Sequence, residues 1–102
     1  MPSHAMSTRL NGFLKYCLGT NQDGGYQPIG FSDRLQSVCA EATQEEQAVL
    51  QEILSEDRSP NWTSGSLAQE ARLFEIALAQ KHPYLEPVVA RALANRWAHG
   101  WR

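Results

Sequence analysis

The sequence predicts an all-α fold, a compact bundle of four to five short helices with a long loop between the first two. Apolar residues recur at helical spacing in separate stretches, and no stretch shows the strict alternation of a β-strand. Helix-capping residues, glycines and prolines lie between these stretches. The predicted helices cover residues 8–18, 32–42, 44–55, 66–82 and 84–98.

The first predicted helix has one apolar face and ends at a glycine. Its apolar face consists of Leu10, Phe13, Leu14, Cys17 and Leu18. Gly19 favours a helix end because glycine adopts positive φ without steric cost. Residues 20–30 are rich in Gly, Asn, Asp and Pro and predict a loop. Loops of this length are uncommon in compact domains and are often functional.

Capping residues mark the two short helices that follow. Ser32 is the predicted N-cap of helix 32–42, because its hydroxyl can accept a backbone N–H of the first turn. Thr43 and Glu46 form a capping-box pattern, in which each side chain accepts the other residue's backbone N–H. This pattern predicts that helix 44–55 begins directly after Thr43.

The last two predicted helices are joined by a short turn. Proline disfavours helical geometry in the residue before it, so Pro83 predicts the end of helix 66–82. Pro83 is also expected to lie in the first turn of the final helix. In that helix the apolar residues Leu85, Val89, Leu93 and Trp97 recur at every fourth position and predict an inward face.

The length of 102 residues predicts one domain, residues 7–102, after a leader or disordered N-terminus at residues 1–6. No apolar run approaches the roughly 18 residues that span a bilayer. The N-terminus lacks the pattern of an export signal. We therefore expect no membrane partner, a cytoplasmic location, and reduced, buried thiols at Cys17 and Cys39, with a disulfide between them as the alternative.

No sequence motif predicts catalysis, a cofactor or a metal site. The chain lacks the spacing of a metalloprotease, a nucleophile elbow, a phosphate-binding loop or a four-ligand zinc site. Glu45 and Glu46 are explained as first-turn acids that favour a helix N-terminus. His82 lies in a turn before a proline, where its ring can bond preceding carbonyls. We therefore expect the protein not to be an enzyme.

The charge is unevenly distributed and favours a function in protein–protein contacts. Residues 41–80 carry eight acidic and two basic residues, whereas residues 81–102 carry four basic and one acidic. Such polarity can steer a partner or pair two copies of a chain. We expect a small non-enzymatic adaptor, inhibitor or regulatory subunit, alone or as a homodimer, whose protein partner the sequence does not identify. Trp and Arg dominate interface hot spots. The predicted contact residues are Trp101, Arg102, Arg96, His99, Trp62 and Tyr26.

The alternative is a nucleic-acid-binding helix-turn-helix protein that uses helix 84–98 and the basic tail. Arg91, Asn95 and Arg96 are of the residue types that read base edges. Two observations weigh against it. The turn contains both Pro83 and Pro87, and the net charge of −2 differs from the basic balance of most nucleic-acid-binding domains. A nucleic acid is therefore not the expected partner.

Overall fold

The computed structural model describes residues 3–56 and 66–100. Within these ranges the chain forms five α-helices and no strand, in a compact globule with a radius of gyration of 13.3 Å. The predicted all-α class and the long loop between the first two helices are confirmed. The helices are α1 (His4–Leu18), α2 (Phe31–Glu41), α3 (Gln44–Leu54), α4 (Leu67–Lys81) and α5 (Pro87–His99).

Helix α5 has the largest share of buried residues of the five helices. It packs along α4 and against α1, and α1 in turn packs against α2 and α3. The apolar faces that the sequence predicts for the first and last helices meet in the core. Its buried members include Leu10, Leu14, Leu18, Leu50, Ile53, Phe74, Leu78, Val89, Leu93 and Trp97. The stripe of every fourth residue in α5 is thus confirmed as core.

Helix α1 begins earlier than predicted. The Ser3 hydroxyl accepts the backbone N–H of Met6, which satisfies one of the donors that a helix start leaves unpaired. Met6 also packs against the core. Residues 4–6 are therefore the first turn of α1. That residues 1–6 are a leader stays a prediction.

Helix α5 begins later than predicted, at Pro87. Residues 82–86 form a turn in which the Leu85 N–H donates to the carbonyl of His82. Pro87 occupies the first helical position, where a missing N–H has no cost and the fixed φ is already helical. Pro83, which the sequence placed in the first turn of this helix, lies in the turn instead.

The loop between α1 and α2, residues 19–30, is held by one arginine of α2. The Arg34 guanidinium donates to the backbone carbonyls of Cys17, Gln27 and Ile29 at 3.1, 2.6 and 2.9 Å. A planar group with several fixed donors can bind three carbonyls at once. This loop is therefore a fixed part of the fold.

The N-cap of α2 also differs from the prediction. Helix α2 begins at Phe31, and the N-cap is Gly30 with a φ of 83°, where a side chain would be strained. The Ser32 hydroxyl lies inside the first turn and does not cap. A glycine that bends the chain into the helix has replaced the side-chain cap here.

A buried asparagine of α1 holds the turn between α4 and α5. The Asn11 amide nitrogen donates to the carbonyls of Ser7 and Tyr84 at 2.9 and 3.0 Å. Its amide oxygen accepts the N–H of Glu86 at 2.8 Å. Asn11 therefore fixes both sides of the turn and so the position at which α5 begins.

The predicted capping box of α3 is confirmed, and an arginine of α1 completes it. The Thr43 hydroxyl accepts the N–H of Glu46, and the Glu46 carboxylate accepts the N–H of Thr43. Arg9 donates to both oxygens of the same carboxylate at 2.7 and 3.2 Å. The Arg9 hydrogen bonds, followed by the bond from the Thr43 backbone, lower the pKa of Glu46 to about 2.

The lowered pKa of Glu46 predicts that the stability of the fold depends on pH. A carboxyl group whose pKa is lowered in the folded state stabilises the fold above its unfolded pKa, near 4.5, and loses that effect as the pH falls toward 2. Replacing Glu46 with glutamine should therefore cost about 1–2 kcal/mol near pH 6 and clearly less near pH 3. Urea unfolding at both pH values measures the difference.

Glu45→Gln is the matched control, because Glu45 is an exposed acid in the same turn. We expect Glu45→Gln to cost less than about 1 kcal/mol near pH 6, because an exposed first-turn acid interacts only with the helix dipole. An equal loss of stability at both pH values in the Glu46→Gln variant would contradict the assignment.

Candidate functional site

An open groove of about 560 Å³ lies at the end of the bundle where α3 and α5 both terminate. We call it the end groove. Among the described residues its walls are the last turn of α3 and the residues after it (53–56), Phe74 of α4, the last two turns of α5, and Tyr26 of the α1–α2 loop. Concave sites of this size with mixed lining are the usual places for ligand contact.

The floor of the end groove is aromatic. Phe74 and Trp97 stack with ring centroids 5.3 Å apart and an interplanar angle of 23°. Both side chains are almost fully buried, so they present little more than a ring surface to the groove. A stacked aromatic pair supplies a rigid apolar surface with little conformational entropy to lose on contact.

The rim contains two of the predicted contact residues. Tyr26 and His99 meet edge to face with ring centroids 5.8 Å apart, and Tyr26 makes a second edge contact with Phe31. Tyr26 is half-buried, whereas His99 is exposed. The α1–α2 loop therefore forms part of the groove wall through Tyr26.

Arg96 is the third predicted contact residue that lies at the end groove, and it brings a positive charge to the rim. Its guanidinium donates to the Leu54 carbonyl at 3.2 Å and lies over the Phe31 ring, 5.1 Å from the centroid. In the part of the chain that the structure describes, no carboxylate pairs with Arg96. Because a guanidinium carries five N–H donors, most remain for another acceptor.

The structure thus brings together three of the six contact residues that the sequence predicts, Tyr26, Arg96 and His99. The other three, Trp62, Trp101 and Arg102, lie outside the described residues. Sequence reasoning did not find the groove itself, because its floor and walls come from separate helices. Trp97 was predicted as core and serves as both core and floor.

Glu56 is the acidic residue in the described part of the end-groove wall. Its carboxylate lies 2.6 Å from the Lys81 ammonium and 3.2 Å from Nε2 of His82. The Lys81 bond is the main cause that lowers the pKa of Glu56, and burial opposes it. Nδ1 of His82 lies 3.1 Å from the Tyr84 hydroxyl. The His82 ring therefore bonds to groups beside it, instead of to preceding carbonyls as the sequence suggested.

Cys17 is poorly suited to nucleophilic chemistry. Its thiol is fully buried and donates to the Leu14 carbonyl, and burial raises its pKa to about 11. A thiolate is the reactive form, so this cysteine stays inert at neutral pH. Cys39 is also a free thiol and is partly exposed.

The difference in burial between Cys17 and Cys39 predicts the order in which the two thiols are labelled. Under native conditions iodoacetamide should modify Cys39 and leave Cys17 unmodified, because only an opened bundle exposes the Cys17 sulfur. Peptide mass spectrometry over time measures both sites. Both should react in urea, and equal native rates would contradict the described packing.

The residues on which the nucleic-acid alternative depends make contacts inside the molecule. Arg91 pairs with Glu75 at 3.6 Å, and the Asn95 amide donates to the Gly24 carbonyl at 2.7 Å. More than half of α5 is buried. Arg91 and Asn95 thus both have partners within the fold, and the nucleic-acid alternative stays a prediction.

Comparisons with models of known protein families, with curated proteins and with solved structures found no match for this chain. In residues 3–56 and 66–100, no helix combines the length and the apolar character that crossing a membrane requires.

Proposed function

We propose that this protein is a small interaction module whose end groove binds a short acidic segment of a partner protein through one apolar anchor. One observation carries the proposal: Arg96, a cation with no carboxylate partner in the described ranges, lies on the rim of a groove with an aromatic floor. Arginine beside a buried aromatic surface is the composition of interface hot spots.

The charge of the groove favours an acidic occupant. Glu56 on one side is already neutralised by Lys81 at 2.6 Å. Arg96 on the other side has no such partner among the described residues, and His99 beside it is exposed. The charge left to be matched is therefore positive, and an acidic segment would be steered toward it.

The floor favours an apolar side chain beside the acidic groups. The stacked rings of Phe74 and Trp97 form a flat surface, and Leu54 adds an aliphatic edge. An inserted aromatic or leucine side chain would exclude water from both surfaces. The apolar contact would supply affinity, and Arg96 would orient the segment.

A second copy of the chain is one candidate partner. Residues 41–52 carry three exposed glutamates, Glu41, Glu45 and Glu52, which are the chemistry that the groove would accept. A homodimer could set this stretch of one copy against the groove of the other. Adaptor, inhibitor and regulatory roles, and the cytoplasmic location, stay predictions from the sequence.

The experiment compares two fluorescent peptides by polarisation. One carries phenylalanine flanked by glutamates, and the other carries phenylalanine flanked by lysines. We expect the acidic peptide to bind and the basic peptide not to bind. Arg96→Ala should weaken the acidic peptide at least about tenfold, as hot-spot arginines do. Arg91→Ala is the matched control, because Arg91 lies on the same helix but pairs with Glu75.

One control separates binding from folding. His99→Ala removes an exposed ring that contacts Tyr26 at the groove rim, so it should weaken binding with little change in the unfolding midpoint. Sedimentation over a concentration range tests the homodimer. Equal affinity for the two peptides, or equal losses in Arg96→Ala and Arg91→Ala, would contradict the proposed site.

A further inference from the structure

A second cluster of polar side chains lies where the end of α3 meets the turn after α4. Glu52, Glu56 and His82 each present one ligand atom, and these atoms all lie within 4.8 Å of one another. We propose that these three residues form a binding site for a divalent metal ion, Zn²⁺. The metal site shares Glu56 with the wall of the end groove, whereas the proposed peptide contact depends on Arg96 and His99.

The His82 ring is oriented by a hydrogen-bond partner on one nitrogen, as the rings of metal-binding histidines are. The side chain is buried, and Nδ1 lies 3.1 Å from the Tyr84 hydroxyl, which fixes the orientation of the ring. Such an outer partner sets the tautomer and leaves the other nitrogen to the metal. That nitrogen, Nε2, lies 3.2 Å from Oε1 of Glu56. Two ligands of a tetrahedral zinc ion are about 3.3 Å apart, given bonds near 2.05 Å.

Glu52 supplies the third ligand from an exposed position. It lies one helical turn before Glu56, so both carboxylates face the same side of the α3 end. Its side chain is exposed, and no hydrogen bond or ion pair holds its carboxylate within the described ranges. A small rotation about its side-chain bonds can therefore close the remaining distance to an ion.

Lys81 shows that this position attracts a cation. Its ammonium lies 2.6 Å from Oε1 of Glu56, the same oxygen that faces His82. The Lys81 side chain is more than half exposed, so it can swing into solvent when an ion enters. An open groove of about 400 Å³, which Glu52, Lys81, His82 and Tyr84 line, gives access from solvent. The ion would compete with the ammonium, which limits its affinity.

The ligand set favours zinc over calcium or magnesium. One imidazole nitrogen and two carboxylates, with a water as fourth ligand, match a tetrahedral zinc site. Calcium takes six to eight oxygen ligands, and magnesium needs near-ideal octahedral oxygen geometry. A neutral imidazole is a preferred ligand of zinc and the other late transition metals.

The test uses Co²⁺ absorption and Zn²⁺ calorimetry on the full chain without an affinity tag. We expect one site per chain, with the visible bands of tetrahedral cobalt that zinc removes. Glu52→Gln should weaken Zn²⁺ binding at least about tenfold while the metal-free protein stays equally stable. Glu45→Gln is the matched control, since Glu45 lines the same groove but is not a proposed ligand.

Lys81→Met should change the zinc affinity in the opposite direction to Glu52→Gln. Because it removes the competing ammonium, it should tighten Zn²⁺ binding severalfold. A chain that shows no cobalt bands, equal zinc affinity in Glu52→Gln and Glu45→Gln, or a Lys81→Met variant with unchanged affinity would overturn the proposal. Histidines elsewhere cannot produce the expected pattern, because none depends on Glu52.

Discussion

Replacing Asn11 with alanine is expected to lower the free energy of unfolding by about 2–4 kcal/mol. The side chain is buried and makes three hydrogen bonds, two as donor and one as acceptor. Alanine would leave the Tyr84 carbonyl and the Glu86 N–H without their partner. A buried group that loses its partner costs about 1–3 kcal/mol, and both of these hydrogen bonds are partly buried. The turn that positions α5 should loosen as a result.

Urea unfolding followed by circular dichroism measures this loss. Asn21→Ala is the matched control, because the Asn21 side chain accepts the Asp23 N–H in an exposed loop. Water can replace a partner there, so we expect a loss under about 1 kcal/mol. Equal losses in the two variants would contradict the role assigned to Asn11.

Replacing Glu70 with methionine is expected to raise the free energy of unfolding by about 2 kcal/mol. The Glu70 side chain is 0% exposed, and neither carboxylate oxygen has a hydrogen-bond partner in the part of the chain that is described. A buried polar group without a partner costs several kcal/mol. The position of Glu70 in the first turn of α4 stabilises the fold by only about 0.3–1 kcal/mol through the helix dipole.

Methionine has a similar volume and flexibility, so it should fill the space without strain. Glu70→Gln is the matched variant: it removes the charge but keeps a polar group, so its stability should fall between those of the wild type and Glu70→Met. Thermal and urea unfolding measure the order of stability of the wild type and the two variants. A Glu70→Met variant less stable than the wild type would show that the carboxylate contributes a favourable contact.

The helices could be predicted from the sequence because they depend on local signals. Apolar residues at helical spacing marked each helix, and the capping box at Thr43 fixed the start of α3. The start of α5 could not be predicted. Two prolines, Pro83 and Pro87, both fit a first helical turn, and the choice depends on Asn11, which contacts the turn from a distant part of the chain.

The candidate site could be predicted only in part, for the same reason. Residue type alone indicated Tyr26, Arg96 and His99, since aromatic and basic residues in a loop and at a helix end are typical of contacts. Sequence spacing does not show that Glu56 meets His82, because that contact forms only when the α3 end packs beside the turn after α4. The metal-site proposal could therefore come only from the structure.

The end groove is the proposed contact surface of this protein. The most direct test is an amide ¹H–¹⁵N correlation spectrum recorded during titration with the acidic phenylalanine peptide. We expect shifts concentrated at Tyr26, Arg96 and His99, with little change at Arg91 of α5 and Glu75 of α4, which pair with each other and do not line the groove. Shifts centred on Arg91 and Glu75, or none at saturating peptide, would contradict it.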